Sequence, residues 1–206
     1  MESWQENITL ALQAMSYWEL LAVVLGIAYL LLAVRESLWC WYAAFFSTAI
    51  FLYLFWDVNL LMESALRVYY LVMAVYGWWH WQQSADNSDG TTAELVISSW
   101  PLRRHAQAIG AVLLASLLSA ALLKQYTNAA LPLLDSFTTW GSILTTWMVT
   151  RKILENWLYW LVIDSVSIYL YLDRGLYLTA LLFLAYLIII IFGYRKWLLH
   201  YRETSS

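Results

Sequence analysis

Seven long apolar stretches, separated by short polar breaks, constrain this chain more than any other feature of its sequence. A helix needs about 20 mostly apolar residues to cross roughly 30 Å of hydrocarbon. The stretches have about this length and cover residues 16–34, 38–56, 60–81, 104–123, 132–150, 154–172 and 176–198. Strands of a membrane barrel alternate in hydrophobicity over about ten residues, whereas these runs are continuous. The sequence therefore predicts an all-α membrane protein with seven transmembrane helices.

The composition excludes the other large classes of protein. Apolar residues make up 63% of the chain and charged residues 12%, against about 45–50% and 25% in soluble domains. The single cysteine, Cys40, cannot form a disulfide within the chain, and no CxxC motif or Cys/His cluster is present. His80, His105 and His200 lie at the ends of apolar stretches, where we interpret them as interfacial. We expect contact with membrane lipid, no metal, no cofactor and no nucleic acid; a homo-oligomer is left open.

The placement of the basic residues predicts the orientation of the chain. If the helices cross the membrane in alternation, one side carries eight Lys and Arg side chains, and the other carries Lys124 and Arg174. The eight are Arg35, Arg103, Arg104, Arg151, Lys152, Arg195, Lys196 and Arg202. Cytoplasmic loops are the ones enriched in Lys and Arg. Residues 1–15 are therefore predicted outside, and the loop 82–103 and the tail 199–206 in the cytoplasm.

The chain also contains an internal repeat, without gaps, at an offset of 116 residues. Residues 35–81 share twelve identical positions with residues 151–197. The most informative pairs are Arg35/Arg151, Trp41/Trp157, Asp57/Asp173, Gly77/Gly193 and Trp81/Trp197. This offset crosses an even number of helices, so both copies have the same orientation. The sequence predicts a parallel 3+1+3 repeat, with three helices in 16–81, a linker helix in 104–128 and three helices in 132–198. Parallel repeats of this kind are typical of membrane transporters.

The sixth stretch carries the strongest candidate for a binding site. Trp157, Trp160 and Asp164 are spaced so that they share one face of a helix. An ionisable side chain deep in a membrane span is costly and indicates function. Indole rings stack on organic cations and attract them, and the carboxylate supplies the counter-charge. We therefore predict a site for a flat organic cation; the alternative, that the two indoles are anchors at the membrane interface, stays open.

Five further residues complete the predicted substrate site. Trp41 and Thr48 occupy the positions in the first copy that correspond to the first Trp and to the Asp of the second copy. Glu63, Arg67 and Tyr70 lie along one face of the third stretch. Opposite charges four residues apart pair on a helix, so Glu63 and Arg67 neutralise each other in one interpretation. In the other, one of them also contacts the substrate.

The chain resembles the PnuC-type vitamin transporters over about residues 20–199. The likeness rests on residues 151–164, 175–180, Gly193 and Trp197 in the second copy, and on residues 76–78 and Trp81 in the first. The resemblance implies a SWEET-like arrangement of two three-helix bundles in a bacterial inner membrane. It also implies facilitated uptake of a vitamin that is trapped by phosphorylation in the cytoplasm. The family's motif, WxxWxxxN, falls on Trp157, Trp160 and position 164.

Two positions depart from the nicotinamide riboside transporters of this family. Position 164 is Asp rather than Asn, and Arg67 stands where those members have a glutamine. An Asn amide can pair with a carboxamide as donor and acceptor, whereas an ionised Asp only accepts. Thiamine offers an amino donor and a permanent positive charge and has no carboxamide. We therefore expect thiamine, the substrate of the related PnuT branch, with nicotinamide riboside as the alternative.

Two other functional classes compete with a transporter. An intramembrane enzyme needs a nucleophile with a base, or metal ligands, within the spans. No stretch contains a central histidine, and Cys40 lies close to a stretch end, so the sequence argues against an enzyme. A membrane receptor that transports nothing is a distant alternative.

Overall fold

The computed structural model is all-helical, as the sequence predicts, and describes residues 16–57, 61–86, 95–126, 131–173 and 177–205. These residues contain the seven helices α1 (Tyr17–Val34), α2 (Trp39–Asp57), α3 (Leu61–Asp86), α4 (Leu102–Tyr126), α5 (Pro132–Thr150), α6 (Asn156–Asp173) and α7 (Tyr177–Ser205). They also contain one isolated β-bridge, between Ser98 and Ile153. The N-terminal segment 1–15 lies outside the described residues.

Helices α3 and α7 run furthest beyond the apolar stretches that predicted them. Helix α3 continues to Asp86 and α7 to Ser205. Residues 82–86 of the predicted loop and 199–205 of the predicted tail are therefore helical. The reason is that hydropathy marks where a helix stops being apolar, whereas its backbone hydrogen bonds continue through the polar residues that follow.

The chain divides into two compact units, Met1–Val96 and Ile97–Ser206. The first contains α1, α2 and α3, and α2 packs against both of the others. The second contains α4 to α7, and each helix packs against the next one along the chain. Within the second unit, α5 and α6 therefore each have a helix on two sides.

This packing accounts for the polar residues of α5, which is less apolar than several other helices. Three segments of the described helices are long and apolar enough to cross a membrane by composition alone: Tyr17–Val34, Leu102–Tyr126 and Thr179–Thr204. Helix α5, which packs between α4 and α6, instead buries Ser136, Ser142 and Thr145. A helix shielded by its neighbours can carry polar side chains that lipid would not accept. The described part of the chain thus contains seven helices, and membrane crossing by the four less apolar ones stays a prediction.

The turns before α2 and before α6 have the same backbone geometry. Glu36 and Lys152, which lie 116 residues apart, have φ values of 55° and 48°. Residues other than Gly seldom have backbone angles in this left-handed region. In each turn the following amide donates a 3.0 Å hydrogen bond to a carbonyl in the last turn of the preceding helix. An uncommon conformation thus occurs twice at the repeat offset.

Each unit also contains an indole that fills the space beside a glycine. Its ring would lie 2.4 Å from a Cβ on the glycine in the first unit and 2.7 Å in the second. The same indole packs edge-to-face against a second Trp, with ring centroids 5.3 Å apart in the first unit and 5.4 Å in the second. The two sets are Trp41, Gly77 and Trp81, and Trp157, Gly193 and Trp197. We call each set a Trp–Gly–Trp contact.

Candidate functional site

Helix α6 carries the predicted motif on one face, because Trp157, Trp160 and Asp164 are spaced by three and four residues. Asp164 is 4% exposed and Trp157 is 2% exposed, whereas Trp160 is half-buried. The structure therefore places all three residues as the sequence predicts them along the helix, but at different depths.

The carboxylate of Asp164 is the most unusual group on this face. It is buried, yet it has no hydrogen bond or ion pair with any residue that the structure describes. Burying an ion costs several kcal/mol unless a partner compensates. An ionisable side chain within a membrane span is a candidate functional residue for this reason. Binding of a positively charged or hydrogen-bond-donating ligand by Asp164 stays a prediction.

The two indoles of the motif have different surroundings. The Trp157 ring lies against Gly193 and packs edge-to-face on Trp197. Its indole N–H is buried without a hydrogen-bond partner among the described residues. This leaves Trp160 as the more accessible ring for stacking on a ligand. A ligand-binding role for either indole stays a prediction.

Helix α5 adds polar groups that the sequence analysis did not single out. Ser142 and Thr146 are buried, and the buried Ser136 hydroxyl has no hydrogen-bond partner within the described residues. Gly141 lets α5 approach α6 closely, since a Cβ there would lie 3.0 Å from the Ile163 side chain. The sequence signal for this face was a series of Ser and Thr residues at helical spacing.

In the first unit, Trp41 and Thr48 are buried on α2. The structure brings Arg67 and Tyr70 together on α3: the guanidinium carbon lies 5.7 Å from the centroid of the Tyr70 ring and 5.2 Å from that of Phe51. These distances are within the range of cation–π attraction. Glu63 lies in α3, but its side chain is outside the described part. Substrate contact by these residues stays a prediction.

Long apolar helices in packed units, one of which buries an acidic side chain, are the pattern of a polytopic membrane protein. The chain belongs to the family described as Nicotinamide mononucleotide transporter, which it matches over residues 16–199. It is therefore a membrane transporter and not an enzyme.

Individual relatives agree with this assignment. The riboflavin/roseoflavin transporter RibM of Streptomyces davaonensis is 26% identical over 183 residues, which are 88% of this chain and 84% of that protein. The nicotinamide riboside transporter PnuC of Escherichia coli is 23% identical over 216 residues, covering 93% and 89% of the two chains. The crystal structure of the Vitamin B3 transporter PnuC has the same fold, with a TM-score of 0.74 at 20% identity over 95% of this chain and 86% of that one.

These comparisons confirm the resemblance to PnuC-type transporters and the assignment to vitamin transport. They do not support thiamine as the substrate. The relatives named above are transporters of riboflavin/roseoflavin and of nicotinamide riboside, so the alternative substrate, nicotinamide riboside, is better supported than thiamine.

Proposed function

We propose that this protein takes up nicotinamide riboside by facilitated diffusion and that Asp164 binds its cationic nicotinamide ring. The observation that carries the proposal is the buried carboxylate of Asp164, unpaired among the described residues, on the helix face that also holds Trp160. The relatives named for nicotinamide riboside, which the chain matches over most of their length, support this choice of substrate.

The chemistry of nicotinamide riboside suits this face of α6. Its pyridinium ring is flat and positively charged, and a ring of this kind gains up to about 2 kcal/mol over an indole when desolvated. Its carboxamide N–H₂ can donate to an ionised carboxylate, which accepts through both oxygens. Asp164 would therefore supply a counter-charge and a hydrogen-bond acceptor to the same ligand.

Thiamine is a second candidate, and the observation that favours it is the same acidic side chain. Thiamine has a permanently charged thiazolium and an amino donor. An ionised Asp164 cannot donate a hydrogen bond to a carboxamide oxygen, and thiamine has no such oxygen. Riboflavin, named for the RibM relative, carries no positive charge and gives Asp164 no counter-ion.

For the architecture, we propose a parallel, SWEET-like 3+1+3 repeat in which α4 links two sets of three helices. Two observations support it. The left-handed residues Glu36 and Lys152 recur at the repeat offset, and so do the two Trp–Gly–Trp contacts. We also propose that the chain lies in the inner membrane of a bacterium with its C-terminus in the cytoplasm.

Transport is proposed to be passive, with the vitamin trapped by phosphorylation after entry. The sequence contains no GxxxxGK[ST] loop for a nucleotide. The carboxylate of Asp164 could carry a proton, so proton coupling is the alternative that an experiment has to separate.

In liposomes containing the purified protein, labelled nicotinamide riboside should enter until its concentrations inside and outside are equal. An excess of unlabelled nicotinamide riboside should block this uptake more strongly than thiamine or riboflavin. Accumulation above the outside concentration under an imposed pH or sodium gradient would contradict passive transport. Stronger competition by thiamine would select the second candidate, and empty liposomes give the background.

The orientation can be tested with topology reporters. A reporter fused after Ser206 should be active only in the cytoplasm, because the basic residues concentrate on that side. Inserted between α4 and α5, a reporter that works only in the cytoplasm should be inactive, which provides the matched control. The reverse pair of results would show that the orientation is wrong.

A further inference from the structure

The segment before α4 is attached to the turn between α5 and α6. The Ser98 amide donates to the Lys152 carbonyl at 3.0 Å, and the Leu154 amide donates to the Ser98 carbonyl at 2.8 Å. These two bonds form the parallel bridge of Ser98 with Ile153. Ile97, next to the bridge, is 2% exposed. The backbone here is therefore fixed by hydrogen bonds and by a buried apolar side chain.

Glu155, at the end of the same turn, contacts polar groups at the beginning of α4. Its carboxylate accepts hydrogen bonds from the Ser99 hydroxyl and, at 3.3 Å, from the backbone N–H of Trp100. The carboxylate oxygen that accepts from Trp100 also lies 3.8 Å from Nε2 of His105. A negative charge at the N-terminus of a helix is favourable, so Glu155 stabilises the start of α4 from a different part of the chain.

His105 continues these contacts to α6. Its Nδ1 is hydrogen-bonded to the Tyr159 hydroxyl at 2.9 Å. Trp100 packs between His105 and Trp147, with ring centroids 5.6 and 5.8 Å away. The first turns of α4 and α6 and the last turn of α5 thus form one cluster, and the side chains of His105 and Glu155 are only 15% and 18% exposed. We call the contacts of residues 97–100 and His105 with residues 152–155 and Tyr159 the α4 clamp.

The corresponding turn of the first unit has the same backbone conformation but a different residue at the position of Glu155. That residue is Trp39, which is 68% exposed. The turn therefore does not need an acidic residue in order to form. Glu155 therefore acts through the groups that it binds at the beginning of α4.

We propose that the α4 clamp stays closed throughout transport and that Glu155 and His105 are positioning residues for the binding face of α6. This inference rests on the proposed function. Tyr159 precedes Trp160 directly in the chain, so a fixed Tyr159 hydroxyl restricts the rotation of the helix turn that carries Trp160. Opening the clamp would break several hydrogen bonds at Ser98 and Glu155 together and expose Ile97. Helix α4 therefore moves together with the end of α5 and the beginning of α6.

A reversible disulfide tests whether the clamp opens. Ser98→Cys and Ile153→Cys are combined in a Cys40→Ala background, so that no other thiol is present. Paired strands lie about 4.8 Å apart, which is within the usual range of about 4.4–6.8 Å between the Cα atoms of a disulfide. The oxidised protein should take up nicotinamide riboside at the rate of the same protein after reduction. Loss of uptake on oxidation, with recovery on reduction, would overturn the proposal.

Variants of Glu155 test its positioning role. Glu155→Ala should weaken binding of nicotinamide riboside to the folded protein by about tenfold, because a small displacement of a binding residue is costly. Glu155→Gln still accepts hydrogen bonds and should restore most of the affinity. The matched control is Asp173→Asn, at the other end of α6, which should leave binding unchanged.

Affinity and thermal unfolding, measured on the same samples, separate the outcomes. A lower unfolding temperature with unchanged affinity in Glu155→Ala would mean that Glu155 is merely structural, and would overturn the proposal. If the wild-type protein neither binds nor transports nicotinamide riboside, the proposed function fails, whereas the disulfide experiment still answers its question with the vitamin that is transported.

Discussion

Replacing Asp164 with alanine should lower the affinity for the transported vitamin by about ten- to a hundredfold, because a hydrogen bond to a charged group is typically worth about 1.5–3 kcal/mol. The same change should leave the substrate-free protein as stable as before or more stable. Asp164 is buried without a partner among the described residues, so its removal ends a desolvation cost and breaks no hydrogen bond there. Binding is followed by calorimetry or tryptophan quenching, and stability by thermal unfolding.

The combination of weaker binding with undiminished stability distinguishes a ligand-binding group from a structural one. Loss of a structural carboxylate would lower the unfolding temperature and leave the affinity of the folded fraction intact. Asp173→Asn, which changes an exposed acid on the same helix, serves as the control for charge. Unchanged affinity in Asp164→Ala would show that this carboxylate does not contact the vitamin.

Asp164→Asn separates the two candidate vitamins. An asparagine keeps the size of the side chain and offers both a donor and an acceptor to a carboxamide. Nicotinamide riboside should therefore bind to this variant better than to Asp164→Ala, even though the counter-charge is lost. Thiamine, which has no carboxamide, gains nothing from the new donor and should bind less well than to the wild type.

The sequence was sufficient to predict the helices because lipid imposes a simple rule on composition. The prediction was less accurate for polar residues, to which this rule does not apply. The last turns of α3 and α7, up to Asp86 and Ser205, are polar, and no apolar signal accompanies them. Helix α5 can bury Ser136 and Ser142 because neighbouring helices cover them. Hydropathy does not show which helix is covered by its neighbours.

The candidate site was predictable in its residue types but not in its contacts. Asp164 stood out because an acid in the middle of an apolar stretch is costly wherever it points. The repeat revealed that Trp157 and Gly193 have counterparts, but only the structure shows that the ring lies on the glycine. The pairing of His105 with Glu155 joins residues 50 positions apart, and no helical periodicity extends across that distance.

Alanine at Gly77 or at Gly193 should destabilise the protein, because the new methyl group would lie 2.4 Å from the Trp41 ring or 2.7 Å from the Trp157 ring. Neither indole has room to move away, since each is 2% exposed and packs on a second Trp. Overpacking of a core typically costs about 1–3 kcal/mol, so each variant should unfold at a lower temperature than the wild type. Thermal unfolding in detergent measures both.

Gly110 provides the matched control, because it lies within α4 and a Cβ there would meet nothing within 4 Å. Gly110→Ala should leave the unfolding temperature unchanged or raise it, since alanine is favoured over glycine in a helix by about 1 kcal/mol. A common destabilisation of all three variants would point to glycine flexibility rather than to the indoles. We expect only Gly77→Ala and Gly193→Ala to be destabilised. A smaller residue in place of the neighbouring Trp should then restore stability, which would identify the Trp–Gly–Trp contact as the element that both units need in order to pack.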